Sequence, residues 1–142
     1  MTNTLKLELA TEVLTSFGKI RLPVNGSSMF PAIRPGDLLE ISRPDRPIRT
    51  GEVVVFEYHG RLVTHRIVGS YGDMLITRGD RLRYPDRLLP RTAILGLVTA
   101  IERRGRLISP RQTVFARMLA AVFQRTEFGT RAALYFARMV QI

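Results

Sequence analysis

"GEVVVFEYHGRLVTHRIVGSYGDMLITRG", residues 51–79, decides the fold class. Three apolar, β-branched runs are separated by two tight turns. "EVVVFEY" and "RLVTHRIVGS" flank a turn with Gly60 at its tip, and "GSYGD" leads into "MLITRG". Branched residues suit a pleated, half-buried surface, and glycine supplies the positive φ that a two-residue hairpin needs. The stretch therefore reads as a meander of antiparallel strands.

The same pattern extends outward. "IRLPV" and "LLEIS" precede it and "AILGLVTAIE" follows it. Six strands in about ninety residues predict a mainly β domain over residues 20–109, a twisted antiparallel sheet or partial barrel. At the N-terminus, Leu5, Leu9, Val13 and Phe17 recur at helical spacing, so residues 1–19 predict an amphipathic helix ending near Gly18. After Pro110 the period changes again. Val114, Phe115, Met118, Leu119, Val122 and Phe123 predict helix, and Arg111, Arg117, Arg125, Arg131 and Arg138 make residues 110–142 a basic amphipathic helical tail.

Composition narrows the chemistry. The chain has 142 residues, which suits one domain with a real core. It has no cysteine, which removes disulfides, thiol nucleophiles and cysteine-ligated zinc. Neither a metal nor a cofactor is expected. Net charge is +10, and the lysines are Lys6 and Lys19 alone; the remaining basic residues are arginine. A positive surface favours anionic partners. No run approaches the roughly 20 apolar residues that span a bilayer, and the N-terminus lacks the pattern of a secretory signal. The location expected from this is cytoplasmic or peripheral to a membrane.

Within "VNGSSMFPAIRPGD", residues 24–37, Ser28 raises the question of nucleophilic chemistry. Such a cluster of Gly, Ser and Pro is also an ordinary turn. A serine needs a base to become a nucleophile. Lys6 and Lys19 lie upstream of it, and His59 sits in the "YHGR" turn. His65 is the better candidate. Strand alternation puts it on one face with Val63 and Ile67, where a neutral imidazole could act as base or simply be a half-buried histidine. A carboxylate is then needed to fix its tautomer. Asp80 and Asp86, both in "TRGDRLRYPD", are the candidates, although both could equally pair with neighbouring arginines.

Five blocks, "GSSMFPAIRPGDLLEI", "GEVVVFE", "VTHRIVG", "ITRGDRLRYPD" and "ILGLV", follow the order and approximate spacing of the boxes of the signal peptidase I family. The resemblance covers about residues 22–108. The wider clan includes the self-cleaving repressor proteases, which share the G-x-S-M start. Common bacterial members carry a lysine base where this chain has Thr64-His65-Arg66. The chain thus resembles the endoplasmic reticulum and archaeal branch, which uses serine, histidine and aspartate.

The resemblance implies a serine endopeptidase with Ser28 as nucleophile, His65 as base, and Asp86 or Asp80 orienting it. It implies a substrate bound as an extended strand, with Ser27, Met29 and Pro31 beside the oxyanion and substrate groups. The chain departs from the family in three places. Gly26 stands where the family often has a second hydroxyl donor, and Ser27 where it usually has glycine. A membrane-spanning segment is not evident, and the tail after Pro110 resembles nothing in the family.

Three functions are compatible with these residues. The first is a signal-peptidase-like enzyme that cleaves a leader or precursor peptide. The second is a self-processing regulator, although residues 1–20 are too short for a helix-turn-helix domain and offer no Ala-Gly cleavage pair. The third is a non-catalytic peptide-binding module of the same fold. The expected partner is an extended peptide or protein substrate, rather than nucleic acid. Residues 111–142 suit either an anionic membrane surface or a partner protein.

Overall fold

The structure, a computed structural model, describes residues 3–111. The expected tail therefore lies outside the described residues, apart from its first two positions. Helix α1 spans Asn3–Phe17. It ends at Gly18, whose φ of +76° lets its N–H turn back to the Leu14 carbonyl at 2.9 Å.

The stripe that predicts this helix is not the one it buries. Ala10 and Leu14 are buried, whereas Leu5 and Leu9 are exposed and Phe17 is 81% exposed. A second stripe, Leu7, Ala10 and Leu14, has the spacing of a helix face too. Its small Ala10 allows a close approach to the sheet.

Among the described residues, seven strands form one antiparallel path and an eighth joins it at the side. In chain order they are β1 Lys19–Pro23, β2 Leu38–Ser42, β3 Val53–Tyr58, β4 Arg61–Tyr71, β5 Met74–Arg78, β6 Leu89–Pro90, β7 Ile94–Arg103 and β8 Arg106–Ile108. The spatial order is β1-β2-β7-β3-β4-β5-β6, with β8 paired to β7. The sheet is open, with β1 and β6 at its ends. The two shortest strands, β6 and β8, go beyond the sequence expectation.

Strand β7 organises the sheet. Its first half pairs with β3, its second half with β2, and its end with β8. Register shifts at Glu40/Ile41, Val55/Phe56 and Ile67/Gly69 bend the strands. Both faces of β3 are covered, which explains the uninterrupted run Val53–Phe56. Val53 and Val55 join Leu14, Met29, Ile33, Ile41 and Ile101 in one cluster. Val54 and Phe56 join Val63, Ile67 and Leu75 in another. Each fully buried side chain of this size contributes about 1.5–3 kcal/mol.

The pairing leaves two free edges that matter later. Among the described residues, strand β1 pairs with β2 on one side alone. Strand β4 pairs with β3 along Arg61–Arg66, but with β5 only from Arg66 onward. Among the described residues, then, Arg61–His65 has a strand on one side only.

Candidate active site

Ser28 lies on the loop between β1 and β2. The base of that loop is closed by bonds from Val24 N–H to the Asp37 carbonyl (2.8 Å) and from Gly36 N–H to the Val24 carbonyl (2.9 Å). Asp37 pins it further. Its buried carboxylate accepts from Arg34 N–H at 2.8 Å and from two Arg103 nitrogens at 2.9 and 2.7 Å. Burial pushes the Asp37 carboxyl up. The bonds from Arg103 and Arg34, with their charges, outweigh this and hold it below its ordinary value. Met29 and Ile33, on either side of the cis Phe30–Pro31 peptide, sink into the core and fix the loop from below.

The loop after β5 holds Ser28 from the other side. Arg81 N–H donates to the Ser28 carbonyl at 2.9 Å, and Asp80 N–H points at Met29 Sδ at 3.4 Å. The approach is so close that a Cβ on Gly79 would lie 2.7 Å from the Ser28 carbonyl oxygen. That closeness is the physical reason for glycine at this position.

The side chains then meet in a line. His65 Nε2 is 3.3 Å from Ser28 Oγ, and His65 Nδ1 is 2.5 Å from Asp86 Oδ2. A carboxylate only accepts, so Nδ1 carries the hydrogen and Nε2 is left as an acceptor facing the serine. Asp86 is itself held. Thr77 Oγ1 donates to the same Oδ2 at 2.8 Å, and Asp86 N–H donates to the Thr77 carbonyl at 2.8 Å. His65 is buried, with the Phe56 ring edge-on at 6.1 Å. The Ser28–His65 distance is long for a hydrogen bond to nitrogen, as is common before substrate draws such a site together.

Asp80 goes elsewhere. It forms a two-point bond with Arg66, Nε to Oδ1 and Nη2 to Oδ2, each 2.9 Å, and both side chains are buried. Arg66 also donates to the Gly51 carbonyl at 2.8 Å. Of the two aspartates left open by the sequence, Asp86 is thus the one in contact with the imidazole. Asp80 is tied to the opposite face of β4.

A hollow of about 190 Å³ opens beside Ser28. Leu22, Val24 and Gly26 line it from the β1 side, Leu62 and Thr64 from the free edge of β4, and Met29 from its floor. Asn3 and Lys6 of α1 border it as well. Ser27 is buried, and its carbonyl accepts from Phe30 N–H at 3.1 Å; neither it nor Pro31 lines this hollow. His59 stays in the β3–β4 turn at a φ of +49°. Sequence reasoning gave no role to Thr77, although a signal was there: it is a polar residue in phase with the buried Leu75 of β5.

The sequence profile of the Peptidase S24-like family matches residues 4–99. The chain belongs to that family. It is also similar to the protein named signal peptidase complex catalytic subunit SEC11C. In dog (Canis lupus familiaris), human (Homo sapiens) and mouse (Mus musculus) the identity is 37%, over 53% of this chain and 43% of each relative. The chain thus spans less than half the length of the curated relatives it matches. The two likenesses together make it a signal-peptidase-I-like member of the Peptidase S24-like family. Among the described residues, no helix is long and apolar enough to cross a membrane.

Proposed function

We propose that this chain is a serine endopeptidase that cleaves a leader or precursor peptide by acyl transfer. The observation that carries the reading is the continuous contact from Ser28 through His65 to Asp86. Ser28 Oγ attacks the scissile carbonyl carbon as His65 Nε2 takes its proton. The tetrahedral oxyanion is met by the Ser28 backbone N–H. His65 then passes the proton to the leaving amine nitrogen, the C–N bond breaks, and an ester on Ser28 remains. Water attacks that ester as His65 Nε2 takes its proton; the C–O bond to Ser28 then breaks, His65 returns the proton to Ser28 Oγ, and the acid is released. Asp86 keeps the Nδ1 hydrogen in place and stabilises the imidazolium. Thr77 acts through Asp86 as a positioning residue.

The substrate would lie extended between β1 and the Leu62–His65 edge of β4, adding main-chain hydrogen bonds as a further strand. The adjoining hollow suits small side chains, as in leader peptides. Residues 111–142 would attach the enzyme to a partner protein or an anionic membrane. The test is incubation of the full chain with a peptide pool rich in small-residue leader sequences, with and without anionic vesicles, read by mass spectrometry. Cleavage supports the proposal, and vesicle dependence assigns the tail to the membrane. A folded protein that cleaves nothing in either condition contradicts it.

A further inference from the structure

A second hollow, about 410 Å³, lies on the other side of Ser28. Phe56, Tyr58, Val63, Leu82, Leu88 and Leu89 supply its apolar wall. Tyr58 and Leu88 are 48% and 49% exposed, so apolar surface is left facing water at its mouth. Ser28 borders both hollows, but His65 and Asp86 border only this one.

That asymmetry orients the peptide. The group that protonates the leaving amine must stand on the leaving side of the scissile bond. The half retained as the ester is then the half that pairs with the free strand edges. We propose that the larger hollow is a binding subsite for a bulky apolar side chain, leucine- or phenylalanine-like, on one of the first two residues after the cut. This inference rests on the peptidase reading. The two hollows would then select opposite sizes: small before the cut, large and apolar after it. The exposed apolar rim of Leu88 and Tyr58 would be covered only when such a residue is bound.

The test uses peptides with a constant first half and Gly, Ser, Lys, Leu or Phe at each of the first two positions after the cut. Cleavage by the wild-type chain is measured as kcat/KM, and equilibrium binding of the same peptides to Ser28→Ala by fluorescence anisotropy. Leu or Phe should be preferred over Ser by about tenfold or more. Leu88→Ala, which removes apolar wall without adding charge beside Asp86, should shrink the ratio of kcat/KM for the Leu or Phe peptide over the glycine peptide by about threefold or more, and an unchanged ratio counts against the subsite. Cleavage without preference overturns the subsite and leaves the peptidase reading standing. Preferential binding to Ser28→Ala without any wild-type cleavage overturns the peptidase reading and supports the pocket. Binding without preference overturns the pocket.

Discussion

Arg66 grips Asp80 through two bonds of 2.9 Å, and this pairing leaves Asp86 to face His65. The two aspartates should therefore fail differently. Asp80→Asn leaves a buried guanidinium without its counter-charge, so stability should fall by about 3–5 kcal/mol. Asp86→Asn presents an amide to Nδ1 and favours the wrong tautomer. It should lower kcat by about 10³- to 10⁴-fold with a much smaller change in Tm. Denaturant titrations and peptide cleavage measured on both variants check the contrast.

Thr77 should matter less than Asp86 but in the same direction. Thr77→Val keeps the shape of the side chain and removes its hydrogen bond to Asp86 Oδ2. A bond to a charged group of this kind is worth about 1.5–3 kcal/mol, so a loss of about tenfold or more in kcat is expected. KM should stay close to wild type, because Thr77 does not line the hollow between the strand edges.

Gly79→Ala tests the contact between the two loops. The added Cβ would meet the Ser28 carbonyl oxygen at 2.7 Å and Leu82 at 3.0 Å, so the serine loop must shift. A displacement of order 1 Å costs about 100-fold in rate. Circular dichroism should show the sheet intact while kcat/KM drops. Full activity would mean that the loop approach does not position Ser28.

The Asp37–Arg103 pair predicts an acid-sensitive loop. Because the folded Asp37 carboxyl is held below its ordinary value, its stabilising effect is complete above the unfolded carboxylate range. It is lost as pH falls through the lower, folded value. Asp37→Asn should therefore lower Tm at neutral pH, and the gap from wild type should narrow below about pH 4. A constant gap across that range would remove the charge from the explanation.

The sheet was legible because its strands carry their own boundaries. "LLEIS" coincides with β2, and Gly60 and Gly72 mark hairpins by positive φ. Strand β8 was less visible, since its turn is built from Arg104 and Gly105 inside a run of arginines. Ser28, His65 and both aspartates stood out as candidates. The choice between the aspartates did not, because His65 and Arg66 point to opposite faces of β4. Which aspartate reaches which face depends on the path of residues 79–86 across the sheet, a property of the folded loop rather than of local pattern. The helix stripe misled for a related reason: α1 carries two apolar stripes, and only the sheet beneath it selects the one with Ala10.

The most direct measurement is the turnover of a cleaved leader peptide by Ser28→Ala beside the wild-type chain, with equal folding established by circular dichroism. The account predicts product from the wild type and a loss of at least about 10³-fold in the variant, because no other hydroxyl lies against His65 Nε2 among the described residues. Cleavage at the wild-type rate by Ser28→Ala would contradict it and would place the chemistry at another group.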